Sequence, residues 1–322
     1  MAFGYQVLGF GSGVVATAAA TRGIWAGGQS YASSAAILAT IDYVNVSSLG
    51  NSADFGDLTG IGRYGALDGG MCSTTRGCFA GGHVPSVGES DVIDYITIAT
   101  TGDATDFGDL TVGKSEYGAG SNTTRGVAFG GYKNQPNPIT DDISWIIIAS
   151  TGDATDFGNT TTATYGTSCT NNTTRLVGMW GSVPGASSNT IEYVNFASTG
   201  NATEFGDSSV TRIYAAGGIS SLTRGCYAGG IDPAQSNVID YITLASTGDA
   251  TDFGNIADAR GYASGCGSTT RGLIGGGFNS PVGINDIEYL TIASTGNTSD
   301  FGDLISAVYG PHSGSNGHGG LG

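Results

Sequence analysis

Residues 64–110 read YGALDGGMCSTTRGCFAGGHVPSVGESDVIDYITIATTGDATDFGDL, and the fold follows from how this stretch divides. Residues 92–99, VIDYITIA, are apolar at both parities: Ile93 and Tyr95 point to one side, Ile96 and Ile98 to the other. A strand with that pattern is covered on both faces. The turn TTGDA follows, where Gly102 supplies the positive φ that a hairpin needs. It leads to a further strand around residues 105–110, TDFGDL. Upstream, RGCFAGG at residues 76–82 reads as another strand. Residues 64–72, rich in Gly and Ala, read as the first of the four. We letter them A to D in chain order. Strand A, built from small side chains, is expected nearest a crowded axis.

The same unit recurs along the whole chain. Thr-Arg occurs with Arg22, Arg76, Arg125, Arg175, Arg224 and Arg271. An aromatic follows an Ile-polar pair at Tyr43, Tyr95, Trp145, Tyr193, Tyr241 and Tyr289. An acid-Phe-Gly triplet places Phe at 55, 107, 157, 205, 253 and 301. The second and third markers are always 12 residues apart, whereas Arg-to-Arg spacing drifts between 47 and 54. A rigid hairpin plus a variable surface loop has this signature. Four short strands in about 48 residues match a propeller blade, and a solenoid rung needs only ~20–30 residues. The expectation is an all-β, six-bladed β-propeller with four antiparallel strands per blade, spanning residues 1–322 as one domain. Seven segments could serve as strand A for six blades. Residues 308–322 are expected to close the ring, and the N-terminal segment, residues 1–9 above all, to be free for an assembly contact.

Composition limits function. The 322 residues carry 27 acidic and 11 basic side chains, a net charge of −16, which opposes binding to phosphate backbones. No apolar run is long enough to cross a bilayer as a helix, and the N-terminus lacks the basic segment of a secretory signal. Five cysteines without a C-x-x-C pair make a disulfide framework or zinc site improbable. Neither nucleic acid nor membrane insertion is therefore expected.

The order of small-residue strand, Gly doublet and acid-aromatic hairpin resembles the Kelch repeat. RYGALDGGMCSTTRGCFAGG followed by VIDYITIATTGDATDFGDLT carries its main features. Copy four departs from it, with Leu176 after the Arg and Trp180 in place of the first Gly, and Phe stands throughout where Kelch has Trp on the last strand. The phrases TRGxxxGG and IDYITIASTGDATDFGDL, with the ending SNGHGGL, are similar to a group of repeat proteins of tailed bacteriophages, many from marine hosts. The resemblance covers essentially the whole chain. It implies a virion protein of the tail, its fibres or the capsid surface, made in the host cytoplasm and binding other virion proteins. It supplies no active site.

The residues fit that expectation. Only three histidines are present, His83, His312 and His318, and no nucleophile elbow or metal helix accompanies them, so no enzyme is expected. The acids of GDATDFGD superficially match a calcium loop. Asp alternates with Asn at these positions, which suits turns whose side chains bond their own backbone, so no cofactor is expected. The six Thr-Arg arginines lie beside strand C. They are expected to be structural, bonding a neighbouring carboxylate or backbone carbonyls, over the alternative of an anion-binding ring. Five copies offer a carboxylate before the aromatic, at Asp42, Asp94, Glu192, Asp240 and Glu288, with Ser144 in the sixth. The B–C loops (29–40, 83–91, 132–142, 182–190, 231–237 and 278–286) emerge on one side and hold six of the seven prolines. Tyr31, His83, Tyr132 and Phe278 are the candidate binding residues there. A host glycan or receptor is the alternative partner.

Overall fold

A computed structural model describes residues 20–30, 36–65, 68, 70–134, 136 and 138–322. Six four-stranded antiparallel sheets are arranged in a ring: the chain is a six-bladed β-propeller. In blade 2, strands A to D are Gly70–Cys72, Arg76–Ala80, Val92–Thr97 and Thr105–Asp109. The other inner strands are Gly118–Ser121, Ser168–Asn171, Ala216–Ser220, Ser264–Gly267 and, for blade 1, His312–Ser315. These six strands A pack against one another around the axis and are rich in Gly, Ala, Ser and Cys.

The C-terminal strand closes the ring. His312–Ser315 pairs antiparallel with Arg22–Ala26, Ala26 facing His312 and Gly23 facing Ser315. The N-terminal candidate for this strand, and the expected arm at residues 1–9, lie outside the described residues.

Among the described residues no blade has a core of its own: the buried apolar side chains form six clusters, each drawn from two neighbouring blades. Ile24, Ile41 and Phe55 of blade 1 meet Cys72, Phe79 and Ile96 of blade 2. Trp25 and Val44, one pleat away, meet Leu273, Ile287 and Phe301 of blade 6. Alternation along each strand thus feeds two interfaces, which explains strands apolar at both parities.

The outer strand is short and bulged. In blade 2 the register shifts between Asp106 and Gly108, turning Phe107 into the interface. Gly108 has φ of 142°, and a Cβ there would stand 2.6 Å from the backbone of Gly152 in the next blade's turn. The next turn docks on that edge: Gly152 N–H donates to Phe107 O at 2.7 Å, and Asp109 N–H to Asp153 Oδ1 at 3.1 Å. Each blade repeats this, with Asn51, Asn201 and Asn297 replacing Asp in the same acceptor role. The first acid of GDATDFGD, or the Asn in its place, is therefore a cap between blades, and its turn covers an exposed sheet edge. Among the described residues no group of three or more His, Cys, Asp or Glu comes together as a metal site.

Strand A is shorter than the expected 64–72. Residues 63–65 belong to the D–A loop, where Tyr64 bridges His83 of the same repeat and Gly65 N–H donates to Gly310 O of the neighbouring loop. Strand B ends at Ala80 and not at Gly82, because Gly81 and Gly82 take φ of 59° and 103°.

Candidate functional site

The D–A loops meet at one end of the axis. In each, one residue adopts the left-handed conformation: Gly65, Glu116, Gly166, Tyr214, Tyr262 and Gly310, with φ between 54° and 85°. Each of the six donates its N–H to the carbonyl of the equivalent residue one blade back. Gly65 N–H reaches Gly310 O at 2.8 Å, Gly166 N–H reaches Glu116 O at 2.6 Å, and Tyr214 N–H reaches Gly166 O at 3.1 Å. Tyr262 N–H bonds Tyr214 O at 3.0 Å, Gly310 N–H bonds Tyr262 O at 2.8 Å, and Glu116 N–H bonds Gly65 O. The result is a closed collar of six backbone hydrogen bonds. Glycine takes this conformation freely, whereas an L-residue is held in it at about 1 kcal/mol or more. Glu116, Tyr214 and Tyr262 are non-glycine residues held there.

Side chains from the collar and the flanking loops build an aromatic mouth. Tyr214 stacks on Tyr262 with centroids 3.9 Å apart. Tyr309 meets Tyr64 and Tyr262 edge-on at 5.9 and 5.8 Å, and Phe278 packs on Tyr309 at 6.1 Å. Tyr64, Glu116, Tyr262, Phe278 and Tyr309 line a depression of about 310 Å³. A smaller one of about 110 Å³ adjoins it, lined by Tyr64, His83, Glu89, Ser115, Glu116 and Tyr132.

Glu116 is the acid common to both. Tyr214 Oη–H donates to its Oε2 at 3.2 Å, and no ion pair among the described residues includes it. Burial, reinforced by Glu89, pushes its carboxyl up to about 7, with Tyr214 and His83 pulling the other way. The folded state thus keeps a proton that the unfolded chain releases near pH 4.5. Glu116 therefore costs stability progressively as pH rises from about 4.5 to about 7. Glu116→Gln is expected to raise the melting temperature at pH 8 and leave it unchanged at pH 4. Equal shifts at both pH values would refute this.

Below the collar the axis is filled, from Asp68 to the C-terminal turn. Asp68 accepts from Cys169 N–H at 2.9 Å and Gly217 N–H at 2.7 Å, and burial holds its carboxyl well above the usual range. The C-terminal turn Gly319–Leu321 seats against the inner strands, its Gly319 N–H donating to Ser220 Oγ at 3.2 Å. His318 Nδ1 accepts from Gly320 N–H at 3.1 Å, so its Nε2–H donates to Cys72 O at 3.0 Å. Burial drops this imidazole to about 4. The void left between them is about 20 Å³, room for roughly one water. Among the described residues the axis is filled below the collar mouth.

The candidate residues named from sequence distribute as follows. His83 and Tyr132 line the smaller depression, and Phe278 the larger. His83 Nδ1 lies 3.0 Å from Glu89 Oε1, and its ring meets Tyr64 edge-on at 5.4 Å. Tyr132 packs on Tyr165 at 5.9 Å. Tyr31 lies outside the described residues. The D–A residues Glu116, Tyr214 and Tyr262 were missed, because that segment reads as strand A. The signal was present: aligning the six loops sets these three opposite Gly65, Gly166 and Gly310.

The six Thr-Arg arginines sit at the opposite ends of the strands and do not bond carboxylates. Register is the reason: Arg76 faces Thr97, while Asp94 faces Phe79. Each arginine instead donates from Nη1 to a carbonyl of the next blade. The acceptors are Ile98, Ile148, Phe196, Leu244, Ile292 and Val46, at 2.6 to 3.3 Å. Each also lies 4.1 to 4.7 Å over its own blade's Tyr or Trp. They are staples between blades. A charged hydrogen bond is worth ~1.5–3 kcal/mol and a cation–π contact ~0.5–1. Arg125→Ala is therefore expected to lower stability by about 2 kcal/mol, read as a shifted urea midpoint. An unshifted midpoint would make the staple idle.

The carboxylates have other partners. Arg63 Nη2 bonds Asp94 at 2.7 Å, Arg212 Nη2 bonds Asp240 at 3.0 Å, and Arg260 pairs with Glu288, all buried. Lys114 Nζ reaches Asp142 at 3.0 Å in the blade whose usual acid is Ser144. These cations come from the D–A loops, where they anchor the collar to the sheets. No known protein-family model matches the sequence, and no curated protein matches it.

Proposed function

We propose that the protein is a non-enzymatic component of a bacteriophage particle that binds other virion proteins through the collar face. What carries this reading is the contrast between the two ends of the ring. Turns and arginine staples repeat almost identically at one end, and the other end bears unequal loops around a strained aromatic mouth. Binding surfaces are built where a rigid scaffold presents variable loops. The Kelch-like order of the repeat and its similarity to phage repeat proteins supply the setting. Assembled in the host cytoplasm, the protein would reside in the tail, its fibres or the capsid surface. The test is whether it sediments with intact particles, and where it lies in images of them. Absence from purified particles would end this reading.

The aromatic lining favours one second reading, a propeller that binds a host glycan or receptor at a fibre tip. Tyr64, Tyr262 and Phe278 could stack on sugar faces. A specific hit on a glycan array, with the collar face distal and uncovered in the particle, would put it first.

A further inference from the structure

We propose that the collar mouth receives the ammonium end of a lysine side chain from a partner protein. The inference rests on the collar face being the binding face, and goes further by naming the group that enters it.

Three observations converge. The first is the lining: Tyr64, Tyr262, Tyr309 and Phe278 surround one carboxyl, that of Glu116, in a depression of about 310 Å³. Aromatic faces attract cations, and do so more strongly as water is excluded. The second is charge. Of the described residues facing Glu116, Tyr64, Tyr214, Tyr262 and Tyr309 are neutral, Glu89 is acidic, and His83, a basic group, is taken by Glu89. A cation would give Glu116 a counter-charge beside the Tyr214 hydrogen bond it already accepts, and a net charge of −16 attracts cations. An anion would meet two carboxyls and no lysine or arginine in the lining.

The third observation is strain. Glu116, Tyr214 and Tyr262 hold left-handed conformations that their counterparts Gly65, Gly166 and Gly310 adopt freely. Such strain concentrates at ligand clamps. Here it holds the acid and its stacked tyrosines at the same collar. Burial that raises the Glu116 carboxyl to about 7 fits a group awaiting a counter-charge.

The test uses the full chain with tyrosine rings labelled for NMR. The probes are Nα-acetyl-lysine methylamide, its Nε-acetylated neutral form, choline and glucose. Shifts at Tyr64, Tyr262 and Tyr309 are expected with the lysine probe in the millimolar range, at least tenfold weaker with the neutral form. Affinity should fall at least fivefold in Glu116→Gln and on going from pH 8 to pH 5.5, and Glu116→Asp should restore most of it. Equal binding of the neutral form or of glucose overturns the proposal, as does silence at the mouth tyrosines. Tighter binding of choline than of lysine transfers the site to free quaternary amines and overturns the lysine assignment. If lysine binds but the protein is absent from particles, the virion reading fails and this one stands. If the protein sediments with particles but lysine does not bind, the reverse holds.

Discussion

Deletion of residues 308–322 is expected to abolish cooperative folding. The segment supplies the inner strand of blade 1, four ladder pairs with residues 23–26, and the Val308 contact in the cluster of Trp25 and Leu273. It also supplies the turn that fills the far end of the axis. In an open-ended stack such a loss would fray one end. In a ring every interface depends on closure, because each cluster needs side chains from two blades. Without the closing strand, blade 1 exposes both an unpaired edge and the sides of Ile24 and Trp25. Domains are stable by only ~5–15 kcal/mol, and the loss of one interface approaches that. Circular dichroism should show no sharp melt, and proteases should cut the truncated chain throughout. Supplying the missing segment as a peptide should restore a melt. A truncated chain that melts like the full one would show that the ring closes some other way.

The second large effect separates two carboxylates that occupy equivalent positions. Asp94 accepts from Arg63 Nη2 at 2.7 Å and from Thr59 N–H at 3.1 Å, fully buried. Asp94→Ala strands a buried guanidinium and is expected to cost about 3–5 kcal/mol. In blade 4 the arginine position is Thr164, so Glu192 is buried without a cation and its Oε2 accepts from Thr161 N–H at 3.2 Å. Burial pushes its carboxyl above the usual range. The folded state therefore binds its proton more tightly than the unfolded chain, and Glu192 costs stability as pH rises through that raised range. Glu192→Gln is expected to leave stability unchanged at pH 4 and to hold or raise it at pH 8. Urea midpoints for both variants decide the matter. Similar losses in both would mean that the arginine pairing contributes nothing particular.

How far the sequence reaches can be judged from these same residues. The 12-residue interval from Tyr95 to Phe107 is visible because both ends of one hairpin are fixed by local geometry, and the bulge at Gly108 needs its glycine in every copy. Strand C was legible because its two apolar parities report two covered faces. The carboxylate partners were not. Arg63 and Asp94 stand 31 residues apart, Arg212 and Asp240 28, and nothing local joins them. Proximity in the chain pointed to the Thr-Arg arginines, and antiparallel register places those three positions away. Tyr132 and Phe278 were found as loop aromatics, yet the acid they surround was hidden in a segment that reads as a strand.

Period, strand number and the dependence of each blade on its neighbours are therefore properties of the chain itself, because they arise from short-range patterns repeated six times. The collar, the filled axis and the mouth around Glu116 arise only when six loops of differing sequence are brought to one axis. The collar hydrogen bonds join backbone groups and leave no repeated side-chain marker, and the conformation they impose on Glu116, Tyr214 and Tyr262 is one their own side chains disfavour.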